Sequence, residues 1–213
     1  PAEDVGDVAL DGAEQARGEA VEDREHAEAE GDGARQQQTP SALPDALDAP
    51  AGTPVDLMIW TTTPWTLPAN LAIALHPDFE YVAVQVDDGD VFVLAKGLLE
   101  QAMRECGIAK YEVLTSIDPR TLERMACRHP FYDRDSLVIL ASHVTLDAGT
   151  GCVHTAPGHG REDYEVGLAY GLDILSPVDD DGCFTKDVEF FAGKFVFDAN
   201  DAVIENCEQA GMF

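Results

Sequence analysis

From residue 54 onward, apolar positions recur with the spacing of short strands and a few helices; before it they show no period. Val55–Trp60 is a compact apolar run that predicts a buried strand ending in a threonine cluster. A second apolar run over 70–75 is closed by His76 and Pro77. Val82, Val84 and Val86 alternate, Asp87, Asp88, Gly89 and Asp90 turn the chain, and 91–94 returns as VFVL, which together predict a β-hairpin. Leu98, Leu99, Ala102, Met103 and Cys106 follow at helical spacing, with Gly107 at the end. Further strands are expected at 111–116, 125–129 and 137–141. A Gly/Pro-rich loop then opens a short helix from Arg161 to Tyr170, closed by Gly171. Asp198 is the expected N-cap of a last helix that runs to Ala210 and stops at Gly211. Strands do not alternate regularly with helices, and there is no internal repeat. The pattern predicts an α+β fold, a β-rich, partly closed barrel with peripheral helices.

Composition divides the 213 residues at the same place. Residues 1–50 hold 14 acidic side chains against 3 arginines and no lysine, and no Phe, Tyr, Trp or Ile. Such a stretch buries too little apolar surface to offset the entropy of ordering its backbone, so 1–53 reads as an acidic disordered segment and 54–213 as a single domain. The net charge of −28 argues against a broad nucleic-acid-binding face, so any RNA contact is expected to be local or to depend on other domains. Five scattered cysteines without a Cys-x-x-Cys pair predict reduced thiols in a cytoplasmic protein. No apolar run approaches the roughly 20 residues that span a bilayer, so no membrane association is expected. The chain begins at Pro1 and reads as a piece of something longer.

Two segments carry the candidate chemistry. In 59–70 (IWTTTPWTLPAN), Thr61, Thr62 and Thr63 stand at a strand end before Pro64, where the chain leaves the ladder. Three hydroxyls and free main-chain groups suit a ribose or a base edge, although a threonine triplet is also ordinary strand sequence. In 149–164 (GTGCVHTAPGHGREDY), four glycines permit close ligand approach around His154 and His159, and Asp163 falls in the first helical turn. Three readings stand side by side. Asp163 grips a cationic ligand while His154 shapes a pocket wall; or the loop is structural, its carboxylate favoured at the helix N-terminus; or His154, His159 and Asp163 bind a metal, for which their spacing is poor. Cys152 would share a strand face with His154 and is assigned to packing. The run Asp179, Asp180, Asp181, Gly182 lacks the rest of a calcium loop and reads as a turn.

Both segments resemble the editing domain inserted in isoleucyl-tRNA synthetases, within the class I valyl, leucyl and isoleucyl editing-domain family. Residues 60–70 resemble the threonine-rich peptide, and 149–160 with Glu162, Asp163 and Tyr164 resemble the second editing motif, in family order. The histidine at 154 points to the isoleucyl branch rather than the valyl or leucyl one. Glu162 stands where Asp is commoner, and Cys152 replaces a common Ala. The resemblance covers about three quarters of the chain.

It implies hydrolysis of valine mischarged onto the isoleucine tRNA, and possible clearance of valyl-adenylate, by a double sieve with a positioned water. Thr61, Thr62, Thr63, His154 and Asp163 are the implied catalytic set; Trp60, Thr62, Asn70, His154, His159 and Asp163 are the implied substrate contacts. Asp163 would hold the α-ammonium, His154 would exclude the extra methylene, and Asn70 would support the loop. The implied partners are the tRNA 3′ acceptor end and the remainder of the synthetase, with a monomeric domain, no metal and no cofactor in this fragment. The adenylation motifs are missing, so no ATP use is implied. The alternatives are a catalytically silent module that receives the acceptor end, the related valyl-enzyme editing domain, or a metal-dependent hydrolase.

Overall fold

The computed structural model describes residues 33–37 and 54–211. Strand β1 (Gly33–Gln37) pairs antiparallel with β2 (Val55–Trp60). These five residues form a strand inside a segment expected to lack structure. The rest of 1–53 lies outside the described residues.

The predicted hairpin is present: β4 (Tyr81–Val86) and β5 (Val91–Ala95) pair antiparallel from Tyr81↔Ala95 to Gln85↔Val91. Eight strands run in the order β6-β4-β5-β2-β9-β3-β8-β7, where β3 is Ala72–Leu75, β6 Tyr111–Ile117, β7 Ala126–Arg128, β8 Asp135–Leu140 and β9 Cys152–Thr155. The sheet is mixed. β2 runs parallel to β5 and β9, β3 runs parallel to β8, and β3 runs antiparallel to β9. The α+β class is borne out, and the sheet remains open between its two ends.

Helix α1 (Leu99–Glu105) covers one end, packing Leu99, Ala102 and Met103 against Met58, Val84, Phe92 and Leu94. Helix α2 (Arg161–Tyr170) sets Val166 and Tyr170 against Ala72, Ala74, Ile139 and Val144. The main core lies on the other face, where Leu57, Ile59, Ile73, Leu75 and Cys152 meet Phe184, Phe191 and, from helix α3 (Asn200–Gln209), Val203 and Cys207. The strand period is visible along β9: Cys152 faces the main core, and Val153 faces α2.

Two local expectations are settled. Asp198 does not cap the last helix. It lies inside a 3₁₀ turn, Val196–Ala199, that runs straight into α3, and Ala199 at the boundary makes no side-chain cap. The chain is already helical there, so no orphan N–H waits for a carboxylate. The Asp179 run is a turn, as expected: Asp179 Oδ1 accepts the N–H groups of Asp181 and Cys183 at 3.1 and 2.8 Å.

Candidate functional site

Sheet pairing brings the two motifs together. Trp60, at the end of β2, is in register with Val153 of β9, and Ile73 of β3 is in register with His154. The threonine-rich motif and the histidine-bearing motif therefore meet at one edge of the main core.

Thr61–Thr63 do not continue a strand. Thr61 Oγ1 accepts the Thr63 N–H at 3.0 Å, and Pro64 then opens a 3₁₀ helix, Pro64–Ala69. Thr63 O accepts both the N–H and the hydroxyl of Thr66, at 3.1 and 2.8 Å. The Thr62 side chain is left exposed, while Thr61 and Thr63 are half-buried.

His154 is 8% exposed, and both of its ring nitrogens are engaged. Asn70 Nδ2 donates to Ala72 O at 3.0 Å and lies 2.7 Å from His154 Nδ1. An amide nitrogen only donates, so Nδ1 accepts, and the imidazole proton sits on Nε2. Nε2 then donates to Thr66 Oγ1 at 2.9 Å, and that hydroxyl donates to Thr63 O. Ser136 donates to Asn70 Oδ1 and completes the chain. Burial pushes the His154 pKa down to about 3, with His159 and Arg134 adding to the effect, so the ring is neutral at pH 7. With both nitrogens used, what His154 offers a ligand is a C–H edge.

Asp163 sits in the first turn of α2. Its Oδ2 accepts the Ala156 N–H at 2.8 Å, which ties the helix to the end of β9. Burial raises its pKa; the Ala156 N–H and His143 act the other way. Its other oxygen has no hydrogen-bond partner among the described residues. His159 turns back to donate its own N–H to Ala156 O at 2.9 Å, and its ring meets Trp65 edge to face at 5.1 Å. The sharp path of the loop depends on glycine. A Cβ on Gly158 would stand 2.1 Å from Leu175 O, and one on Gly151, at φ +75°, would stand 2.4 Å from Ala95 Cβ.

Asn70 and His154 lie in one hydrogen-bonded constellation with Thr63, while Trp60, two residues on from Met58, lies on the opposite strand face and turns toward Gly149. Asn70 is fully buried behind His154, a support rather than a wall. His154, His159 and Asp163 do not form a ligand cluster: among the described residues no group of three His, Cys, Asp or Glu is placed to hold a metal. Sequence reasoning missed Thr66, Ser136 and Asn200. Thr66 lies in the motif, one turn past Thr63, and its spacing was a usable signal. Ser136 and Asn200, whose Oδ1 accepts the Trp65 N–H at 3.1 Å, gave none.

A cavity of about 360 Å³ adjoins the constellation, lined in part by Pro68, Tyr132, Arg134, Leu175 and Thr185. Thr61, Thr62, Thr63, His154 and Asp163 are not among its lining residues. Among the described residues no helix is long and apolar enough to cross a membrane.

No family model matches the chain. It is 56% identical over 166 residues to an isoleucine–tRNA ligase of Geobacter sulfurreducens, an alignment covering 78% of this chain and 18% of that one. Against the isoleucine–tRNA ligase of Syntrophotalea carbinolica it is 53% identical over 169 residues, 79% of this chain and 18% of the relative. The chain thus spans less than a fifth of the length of these curated relatives. Its fold matches the solved structure of GlLeuRS-CP1 with a TM-score of 0.68 at 17% identity, over 86% of this chain and 97% of that one. The editing domain of the Plasmodium falciparum cytosolic leucyl-tRNA synthetase matches with a TM-score of 0.57 at 11% identity, over 76% and 79%.

Proposed function

We propose, on the premise that this chain belongs to the isoleucine–tRNA ligase family as a homologue of one segment of those enzymes, that it hydrolyses the ester of valine mischarged onto the isoleucine tRNA. The observation that carries this reading is the hydrogen-bonded bridge Thr63–Thr66–His154–Asn70–Ser136. It joins the two motifs and fixes a neutral imidazole as a rigid wall.

The need for such a site is physical. One methylene in an apolar pocket is worth about 1–3 kcal/mol, a limit for which isoleucyl enzymes are themselves the standard illustration. A second site that admits valine and excludes isoleucine by shape supplies the missing discrimination.

The free oxygen of Asp163 receives the substrate ammonium by a charge-assisted hydrogen bond, while the other stays on Ala156. The C–H edge of His154 limits the side-chain pocket. Thr61, Thr62 and Thr63 hold the terminal adenosine and the aminoacyl carbonyl, with Trp60 and His159 flanking them and Asn70 supporting His154 from behind. The nucleophile is a positioned water, and valyl-adenylate is a second substrate for the same pocket. The partner is the 3′ acceptor end, delivered in the cytoplasm by the remainder of the synthetase, with the domain acting as a monomer.

The test is single-turnover hydrolysis of valyl-tRNA and isoleucyl-tRNA, both on the isoleucine tRNA, with protein in excess and with or without chelator. Selective loss of the valyl ester, unaffected by chelator, is expected. Equal loss of both esters would remove the sieve. Loss abolished by chelator would move the reading to metal chemistry, and no loss of either would leave a module without hydrolytic function.

A further inference from the structure

Trp65 from the first motif and His159 from the second meet edge to face, ring centroids 5.1 Å apart with planes at 80°. Their main chains are anchored: the Trp65 N–H donates to Asn200 Oδ1, and the His159 N–H donates to Ala156 O. Their polar tips are not. Trp65 Nε1 and His159 Nε2 are both shut off from solvent without a hydrogen-bond partner among the described residues. Buried polar atoms are nearly always paired, so an orphan on each side of one ring contact calls for an explanation. His154 has both nitrogens in use, and Asp163 has one oxygen on Ala156. The second oxygen of Asp163 is also open, and the proposed function gives it the substrate ammonium.

We infer that Trp65 and His159 are the pair that acts on the reacting ester, the indole N–H donating to the carbonyl oxygen and His159 Nε2 taking a proton from the attacking water. This rests on the hydrolytic reading above and adds catalytic residues to it. The ester reaches the two nitrogens by parting the ring contact. Water oxygen then bonds to the carbonyl carbon as its proton passes to Nε2, with the other imidazole proton on Nδ1. The oxyanion so formed accepts from the indole. As the bond to the ribose oxygen breaks, the imidazolium returns the proton to that oxygen, leaving free amino acid and an uncharged tRNA end. A base must be unprotonated at working pH, and burial holds His159 below its ordinary pKa. From the 3₁₀ helix Pro64–Ala69 it meets the uncharged Trp65, and from β9 it faces the neutral His154; the carboxylates of Glu162 and Asp163 stand at the start of α2.

The test is single-turnover hydrolysis of valyl-tRNA from pH 5 to 8.5 by the full chain, by His159→Gln and by Trp65→Phe, with melting temperatures alongside. In the unsubstituted chain the rate should rise about tenfold per pH unit at the acid end and level off before neutrality. His159→Gln should be slower by about 100-fold or more at pH 7 and lose that acid limb. Trp65→Phe, which keeps an aromatic ring but not the N–H, should be slower by about 100-fold with the limb intact. A merely structural role would move melting without moving the limb. Either variant within about threefold of the parent overturns the pair while leaving the editing reading in place. An inert parent chain overturns both. If His159→Gln does not fold, a parent profile that is flat from pH 5 to 7 overturns the base assignment on its own.

Discussion

Asn70 Nδ2 and His154 Nδ1 lie 2.7 Å apart, and this one contact decides which proton His154 carries. The amide can only donate, so the imidazole proton is held on Nε2 and aimed at Thr66. Two residues 84 positions apart thereby fix the tautomer of one buried imidazole.

Replacing Asn70 tests that contact. Asn70→Ala leaves Nδ1 of His154 and the hydroxyl of Ser136 buried without partners, a cost of about 1–3 kcal/mol for each such group. Melting should fall by several degrees, and the imidazole nitrogen shifts in NMR should show loss of the single tautomer. An unchanged tautomer in Asn70→Ala would mean that Thr66 alone fixes the ring.

Asp163→Asn separates charge from structure. The carboxamide oxygen still accepts from Ala156, so melting should move little. The ammonium contact loses its charge, which is worth about 1.5–3 kcal/mol, or roughly 10- to 150-fold in kcat/KM for the valyl ester. Asp163→Ala should lose both the helix tie and hydrolysis. Near-normal hydrolysis by Asp163→Asn would sink the proposed ammonium contact.

His154→Ala should open the side-chain pocket. Isoleucyl-tRNA, rejected by the parent chain, should then be hydrolysed at a measurable rate. Stability should fall as well, since Asn70 and Thr66 lose their shared partner. If rejection of isoleucyl-tRNA persisted, the wall would have to be assigned elsewhere.

Acid should unfold the domain through two histidines. Burial pushes both His154 and His129 down to about 3; His129 donates to Leu67 O, and its other nitrogen accepts the N–H groups of Phe131 and Tyr132. Burial outweighs the Leu67 bond, which by itself would raise the His129 pKa, so both folded pKa values lie below the unfolded value near 6.5 and the unfolded chain binds more protons in between. Stability is fully present above about pH 6.5 and is lost as pH falls toward about 3, by on the order of a few kcal/mol for each group. Melting temperatures measured from pH 7.5 to 4 should therefore decline steadily, and His129→Gln should flatten part of the slope.

Gly158→Ala should perturb the second motif without touching any of its functional side chains. Its Cβ would lie 2.1 Å from Leu175 O, a backbone atom with no easy way to yield. A destabilisation of about 1–3 kcal/mol is expected, with slower valyl-ester hydrolysis from displacement of His159. Melting equal to the parent would show that the 175–177 segment gives way freely.

The sequence by itself determined the parts. Alternating valines and the turn after them specified β4 and β5, helical spacing specified α1, a Gly/Pro-rich loop and Gly171 bounded α2, and two dense motifs specified where the chemistry gathers. These are local properties: a period of two or of 3.6 is written in neighbouring residues. Tertiary structure alone decided the connections. Periodicity says that His154 faces inward but not that Ile73 lies beside it, and only that register brings Asn70 and Thr66 to its two nitrogens. Asn200, 135 positions from Trp65, reached the site through packing of the 3₁₀ turn and α3, and the same packing removed Asp198 from its expected cap. Hydrogen-bond direction, tautomer and the orphaned tips of Trp65 and His159 depend on angstrom-scale placement of groups far apart in the chain, and no pattern along one strand or helix encodes that.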